Sequence, residues 1–336
     1  MATPAFSTAA SESLAETNFA ARRRLGVSGY VACFKGIVWR EILRYLHQRE
    51  RFLSALVRPL IWLFIFAAGF RQTLGVSIIP PYETYVLYEE FIAPGLIAMI
   101  LLFNAMQSSL SMVYDRETGT MRTLLVSPFP RSFLLLSKLL GGVSVALLQA
   151  FAFLFVAYWW GIQPPPITEV KLFTFFDPPS WAGNVIPAMG DPIVYTLFSV
   201  PDFLQPALGY IAVIPAIVLG GLMLGALALF ISSVIKQLEN FAGVMNFVIF
   251  PMFFASSALY PLWRIREASP LLYEICRLNP FTYAVELVRF ALYGQIDTIS
   301  LAVVVACTVI FLGAAVFAYN PSKGLIARRG GPGGPA

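Results

Sequence analysis

The sequence predicts an all-α polytopic membrane protein, with six transmembrane helices preceded by an amphipathic helix on the cytoplasmic face. Three observations predict it. Hydrophobic residues make up 58% of the 336 and charged residues only 12%, with a mean hydropathy of +0.74, outside the range of soluble globular chains. Uncharged stretches long enough to cross a bilayer as helices recur along the chain. The charges between them divide unevenly: 17 of the 23 Lys and Arg, but only 7 of the 18 Asp and Glu, fall on the side that holds both termini. That bias makes the termini cytoplasmic.

Residues 1–29 are rich in Ala, Ser, Thr and Glu without apolar periodicity, and read as a mobile cytoplasmic tail. Arg22, Arg23 and Arg24 are followed by too short an apolar core for a cleaved leader. Residues 30–325 form the membrane domain. Over 30–52, Phe34, Ile37, Val38, Glu41, Ile42, Tyr45 and Leu46 share one helical stripe, apolar apart from Glu41. Lys35, Arg40, Arg44, Arg49 and Arg51 occupy much of the remainder, as in a basic helix lying at the membrane interface. The alternative is a solvated helix covering neighbouring membrane helices.

The spans are expected at 52–74, 91–114, 134–162, 206–234, 240–260 and 298–320. In the first, Arg58 and Arg71 bracket only Pro59 to Phe70, about 18 Å of helix. Arginines near helix ends can carry their charge toward the headgroups, which rescues the span. Gly141 and Gly142, and Gly220, Gly221 and Gly225, place small residues inside spans where helices approach closely. Residues 161–205 hold eight prolines and several aromatics, and read as a small periplasmic cap. From Tyr260 to Asp297 apolar clusters alternate with charges and are punctuated by Pro261, Pro270 and Pro280, which fits short helices. There Glu274 and Arg277, and Glu286 and Arg289, stand three apart and can pair on a helix face, lowering the cost of dipping into the membrane. Residues 326–336 form a cytoplasmic tail.

Between the second and third spans lies a compact charged segment, Asp115, Arg116, Glu117, Thr118, Gly119, Thr120, Met121 and Arg122, ending in Ser127, Pro128, Phe129 and Pro130. It cannot lie in lipid and is too short to fold alone, so it reads as a cytoplasmic element pushed by a partner, with an ordinary polar loop as the bland alternative. None of the five lysines is followed by Ser or Thr, which rules out a phosphate-binding loop of the G-x-x-x-x-G-K-[ST] type. ATP hydrolysis therefore belongs to another chain. His47 is the sole histidine and lies on the interfacial helix, so in-membrane histidine chemistry has no residues to use. Cys33, Cys276 and Cys307 show no metal spacing. The strong spans lack the mid-membrane charges that a channel or secondary transporter commonly carries. Basic residues spread along membrane edges give no support to nucleic-acid binding.

Three regions carry a family likeness: the basic interfacial helix, the segment from Asp115 through Arg131, and the run from Leu278, Asn279 and Pro280 to Gly294. Over roughly residues 30–325 the chain resembles the type-2 ABC exporter permeases, six-helix subunits that work with a separate ATPase. The resemblance implies a permease of the bacterial inner membrane. Its expected partners are two ATPase subunits holding ATP and Mg, a second permease subunit forming a homodimer or a heterodimer, and membrane lipid. No cofactor is expected on this chain. Asp115, Arg116, Glu117, Gly119, Thr120 and Arg122 would meet the ATPase, with Gly119 allowing an abrupt turn. The stretch containing Glu274, Arg277, Asn279, Pro280, Glu286 and Arg289 would form outer re-entrant helices closing the path. The cargo implied is a lipid-linked, polysaccharide or amphipathic small molecule.

Pro128 to Lys138 and Tyr260 to Arg264 also look like a subgroup associated with PQQ-dependent alcohol dehydrogenase systems, linked in some bacteria to lanthanide use. That likeness implies a metal-related role, inward transport and a periplasmic binding protein. Glu169, Asp177, Asp191 and Asp202 supply oxygen donors of the hard-cation type. Their spacing forms no recognisable loop motif, and surface acids on a cap are the simpler reading.

Overall fold

The computed structural model describes residues 26–47, 49–70, 80–82, 85–117, 129–174, 193–235 and 237–318. Within the described residues the first elements are α1 (Val27–His47), α2 (Arg49–Phe70), α3 (Tyr88–Glu117) and α4 (Arg131–Trp159). Strands β1 (Glu169–Thr174) and β2 (Ile193–Ser199) precede α5 (Gln205–Val234) and α6 (Leu238–Phe254). Three short helices follow, α7 (Leu262–Ala268), α8 (Pro270–Leu278) and α9 (Pro280–Leu292), then β3 (Gln295–Asp297) and α10 (Thr298–Ala318).

Among the described residues four helices are long and apolar enough to cross a membrane, over Tyr88–Tyr114, Ser132–Trp159, Gln205–Val234 and Thr298–Ala318. They coincide with four of the six expected spans. The apolar parts of α2 and α6, Ala55–Phe66 and Glu239–Phe254, are shorter. The span expected over 240–260 stops at Phe254 because the backbone turns there: Ser256 Oγ donates to the Phe253 carbonyl at 2.6 Å and accepts from the Ala258 N–H at 3.2 Å. The interfacial helix expected over 30–52 ends at His47, and Arg49 to Phe52 open α2 instead. The tails 1–25 and 319–336 lie outside the described residues.

The expectation of an all-α protein is corrected by a three-stranded sheet in the order β2-β1-β3. β1 pairs antiparallel with β2, both from the proline-rich insertion, and parallel with β3, just ahead of α10. β2 is built from Ile193, Val194, Tyr195, Thr196, Leu197 and Phe198, residue types that fit a pleated surface. On β1, Val170 and Phe173 are buried. Residues 175–192, between the strands, lie outside the description.

The core gathers around α5, which is apolar around its whole circumference and buried among α3, α4, α9 and α10. Its small residues do what the sequence implied. A Cβ on Gly221 would lie 3.3 Å from Val143 of α4, and one on Gly220 would lie 3.4 Å from Leu101 of α3. α4 ends in a Schellman arrangement: Gly161 adopts φ 92° and donates to the Tyr158 carbonyl, while Ile162 donates to that of Ala157.

α9 sets the depth of the short-helix region. Its Ala284 faces Gly220, in the middle of α5, whereas its Leu292 carbonyl approaches Gly209, in the first turns of α5. Those two glycines are eleven residues apart, roughly 16 Å along a helix. α9 therefore starts beside the middle of the bundle and climbs antiparallel to α5 to one end, called here the rim. The opposite end, where α1 packs on the start of α4, is the base.

Candidate functional site

At the base, α1 lies against α4. Tyr30 is edge-on to Phe129 at 5.2 Å between ring centroids and to Phe133 at 5.0 Å. Phe129 lies at the end of the charged segment and Phe133 in the first turn of α4, so the start of α1 is joined to the segment's exit. Glu41 is turned onto α4: a Cβ on Gly141 would lie 3.1 Å from its Cγ, and its side chain is only 11% exposed. Arg40 pairs with it at 3.0 Å and Arg44 at 4.0 Å. Lys35, Arg40 and Arg44 face outward, as the amphipathic pattern implies. The side chain of Arg49 lies outside the described residues.

Asp115, Arg116 and Glu117 form the last turn of α3, beyond the apolar stretch that ends at Tyr114, and their side chains are outside the description. Gly119, Thr120 and Arg122 lie wholly outside the described residues.

At the rim, both expected ion pairs form. Arg277 and Glu274 approach to 4.0 Å on α8, a loose contact. Arg289 and Glu286 pair closely on α9, with the Arg289 side chain 4% exposed. Arg289 Nη2 donates to the Ser257 carbonyl at 2.8 Å, and its guanidinium lies 4.2 Å from the centre of the Phe91 ring. One side chain thus joins α9, the turn after α6 and α3. Asn279 caps α9 by accepting from the Phe281 N–H at 3.0 Å, with Pro280 at the first helical position. Its amide donates to the carbonyls of Met252 and Ala255 at 2.7 Å each, which ties the start of α9 to the end of α6. Tyr88 Oη donates to the Leu259 carbonyl at 2.8 Å, and a Cβ on Gly95 would lie 2.5 Å from the Ala258 oxygen. The turn 255–260 is therefore clamped against α3.

Asp297 ends β3 and caps α10, accepting from the N–H groups of Ile299 at 3.3 Å and Ser300 at 3.1 Å and from the Ser300 hydroxyl. Burial pushes its carboxyl above the ordinary value, against the pull of the Ser300 hydrogen bonds.

Of the candidate metal donors, Glu169 on β1 accepts from Thr196 Oγ1 at 3.4 Å, and Asp202 accepts from Gln205 Nε2 at 2.9 Å. Asp177 and Asp191 lie outside the described residues. Among the described residues no three His, Cys, Asp or Glu side chains gather in a way that would hold a metal ion.

Sequence reasoning missed the bundle's polar interior. Asn104 of α3 donates to Gln149 of α4, both buried, and Arg58 of α2 sits over the Phe103 ring at 3.8 Å from its centre. Arg58 thus turns onto α3 and does not simply bracket a span. A search for charge passes over buried amides; uncharged Asn and Gln inside an apolar window would have been the signal.

Residues 51–318 match the family model described as ABC-2 family transporter protein. A putative transport permease, ycf38 of Cyanophora paradoxa, is 27% identical over 259 residues, covering 76% of this chain and 72% of its own. The ycf38 protein of Porphyra purpurea is 22% identical over 267 residues, 78% of this chain and 74% of its own. The probable multidrug ABC transporter permease YbhR of Escherichia coli K12 is 36% identical over a shorter stretch of 95 residues, 28% of this chain and 26% of its own. With a family match across most of its length and four helices fit to cross a membrane, the chain belongs to the ABC-2 family of transporter proteins and is a multi-pass membrane permease.

Proposed function

We propose that this permease spans the bacterial inner membrane six times with both termini in the cytoplasm, and is driven by two ATPase subunits bound at its base. In this reading α2 and α6 supply the two further crossings, and α8 and α9 form the re-entrant closure at the rim. A second copy of the chain completes the transporter. The lipid-facing surface for such a dimer is ample, since Val305, Val309, Ile310 and Phe317 of α10 are all exposed.

The observation that carries the reading is the Tyr30 contact with Phe129 and Phe133. A push on the segment 115–128 would reach α1 directly through these rings, and α1 in turn lies along α4. ATP and Mg act on the partner, and this chain contributes leverage. The probable multidrug permease YbhR, similar over 95 residues, lends support to a small-molecule cargo.

The test is purification of the tagged permease from its host, followed by Glu117→Arg. An ATPase should copurify with the wild type, and reversal of the charge at Glu117 should abolish transport-coupled ATP hydrolysis while leaving membrane insertion intact. Undiminished coupling in Glu117→Arg removes the assigned contact, and absence of any ATPase removes the reading.

A further inference from the structure

Pro59 sits inside α2 and has no N–H, so the carbonyl of Ala55, one turn earlier, loses its usual helical donor. Across from that broken turn is Gln149 of α4, 1% exposed. Its side-chain carbonyl accepts from Asn104 of α3, and its amide nitrogen has no partner among the described residues. An orphan acceptor and an orphan donor thus come together. Ala55, Pro59, Asn104 and Gln149 all line one narrow crevice, with Gln107 of α3 and Arg58 of α2 completing its polar wall. The crevice leaves about 10 Å³ to the centre of a water molecule, room for about one.

Depth raises the cost of leaving these groups unmet. Asn104 stands ten residues from Tyr114, the base end of its apolar stretch, which places it roughly 15 Å into the hydrocarbon layer. Bulk water is remote there, and a polar group buried without a partner is destabilising. No Asp or Glu lines the crevice, and the Arg58 guanidinium is laid over the Phe103 ring, 3.8 Å from its centre. What the site calls for is a small neutral group that both accepts and donates. Water does both, and a buried water typically makes about three hydrogen bonds. Asn104 and Gln107 also line a wider crevice shared with Glu41 and Arg44 of α1, which gives water a polar way in from the base.

We propose that the Pro59 turn binds one structural water, which accepts from the Gln149 amide and donates to the Ala55 carbonyl, with Gln107 as its further partner. The water completes the turn that proline leaves open, and it fastens α2 to α3 and α4 in the middle of the membrane.

The test is X-ray radiolytic labelling of the purified permease, in which a brief pulse turns bound water into hydroxyl radicals and mass spectrometry reads the oxidised residues. Met99 lines the crevice yet is only 2% exposed, whereas Met106, further along the same helix, is fully buried and lines neither crevice. Wild type should oxidise Met99 about tenfold faster than Met106, and Gln149→Leu should remove that advantage, tenfold being the occupancy that one hydrogen bond supports. Pro59→Ala returns an N–H to the Ala55 carbonyl and should lower the Met99 rate in the same direction. A monodisperse elution profile certifies each variant's fold, and Pro59→Ala stands in should Gln149→Leu fail it. Met99 no faster than Met106 in wild type overturns the site. So does a Met99 rate that is the same in wild type and in the folded variant, since solvent would then reach Met99 without the proposed partners.

Discussion

Tyr30 and Phe129 meet edge to face at 5.2 Å, joining the first helix of the base to the end of the charged segment. Elements about a hundred positions apart in sequence thereby become one mechanical unit, closed by the second ring contact at Phe133. Each such aromatic pair contributes about 1 kcal/mol beyond its buried area. Tyr30→Ala should therefore lower transport-stimulated ATP hydrolysis by about tenfold, with Tyr30→Phe close to wild type because the rings and not the hydroxyl make the contact. Reconstituted ATPase assays in the presence and absence of cargo would check this. Equal stimulation in Tyr30→Ala would show that the push travels by another route.

The rim is held by a buried charge. Arg289 is 3% exposed and is neutralised by Glu286 from the same helix, and it anchors the turn after α6 through the Ser257 carbonyl. Removing one member of a buried pair leaves an uncompensated charge, at a cost of about 3–5 kcal/mol. Glu286→Gln should thus lower the unfolding temperature in detergent sharply, whereas the double change Glu286→Gln with Arg289→Met should recover much of the loss. Thermal unfolding of wild type, Glu286→Gln, Arg289→Met and the double variant forms the cycle. A double variant no better than Glu286→Gln would place the value of Arg289 in its contacts with Ser257 and Phe91.

Four of the spans were legible because an uncharged window is a property of consecutive residues, and the Glu286 and Arg289 pair because helical neighbours stand three apart. The glycines of α5 likewise announced close packing, against Leu101 and Val143. Other features depend on partners remote in the chain. β3 is three residues long and is a strand only because β1 lies beside it, and the prolines of the insertion hid β1 and β2. Nothing in the local pattern of Pro280 to Leu292 gives its depth, which Gly209 and Gly220 of α5 set. Tyr30 carries no mark distinguishing it from any interfacial aromatic until Phe129 and Phe133 are brought to it.

Asp297 gives the rim a pH dependence of known sign. Its carboxyl sits above the ordinary value chiefly through burial, with the nearby Glu286 charge acting in the same direction and the hydrogen bonds from Ser300 and Ile299 opposing. The folded state therefore binds this proton more tightly than the unfolded chain, whose carboxylate titrates near about 3.9. The resulting stabilisation is full below that value and is lost as pH rises through the folded value, leaving a smaller margin at neutrality. Asp297→Asn keeps an oxygen to cap α10 but cannot ionise. Wild type should lose stability relative to Asp297→Asn as pH is raised above about 3.9, through the range in which the folded carboxyl ionises. Paired thermal unfolding curves across that range measure the difference directly. A gap that stays constant, or that widens in favour of wild type with rising pH, would mean that the hydrogen bonds from Ser300 and Ile299 outweigh burial at this cap.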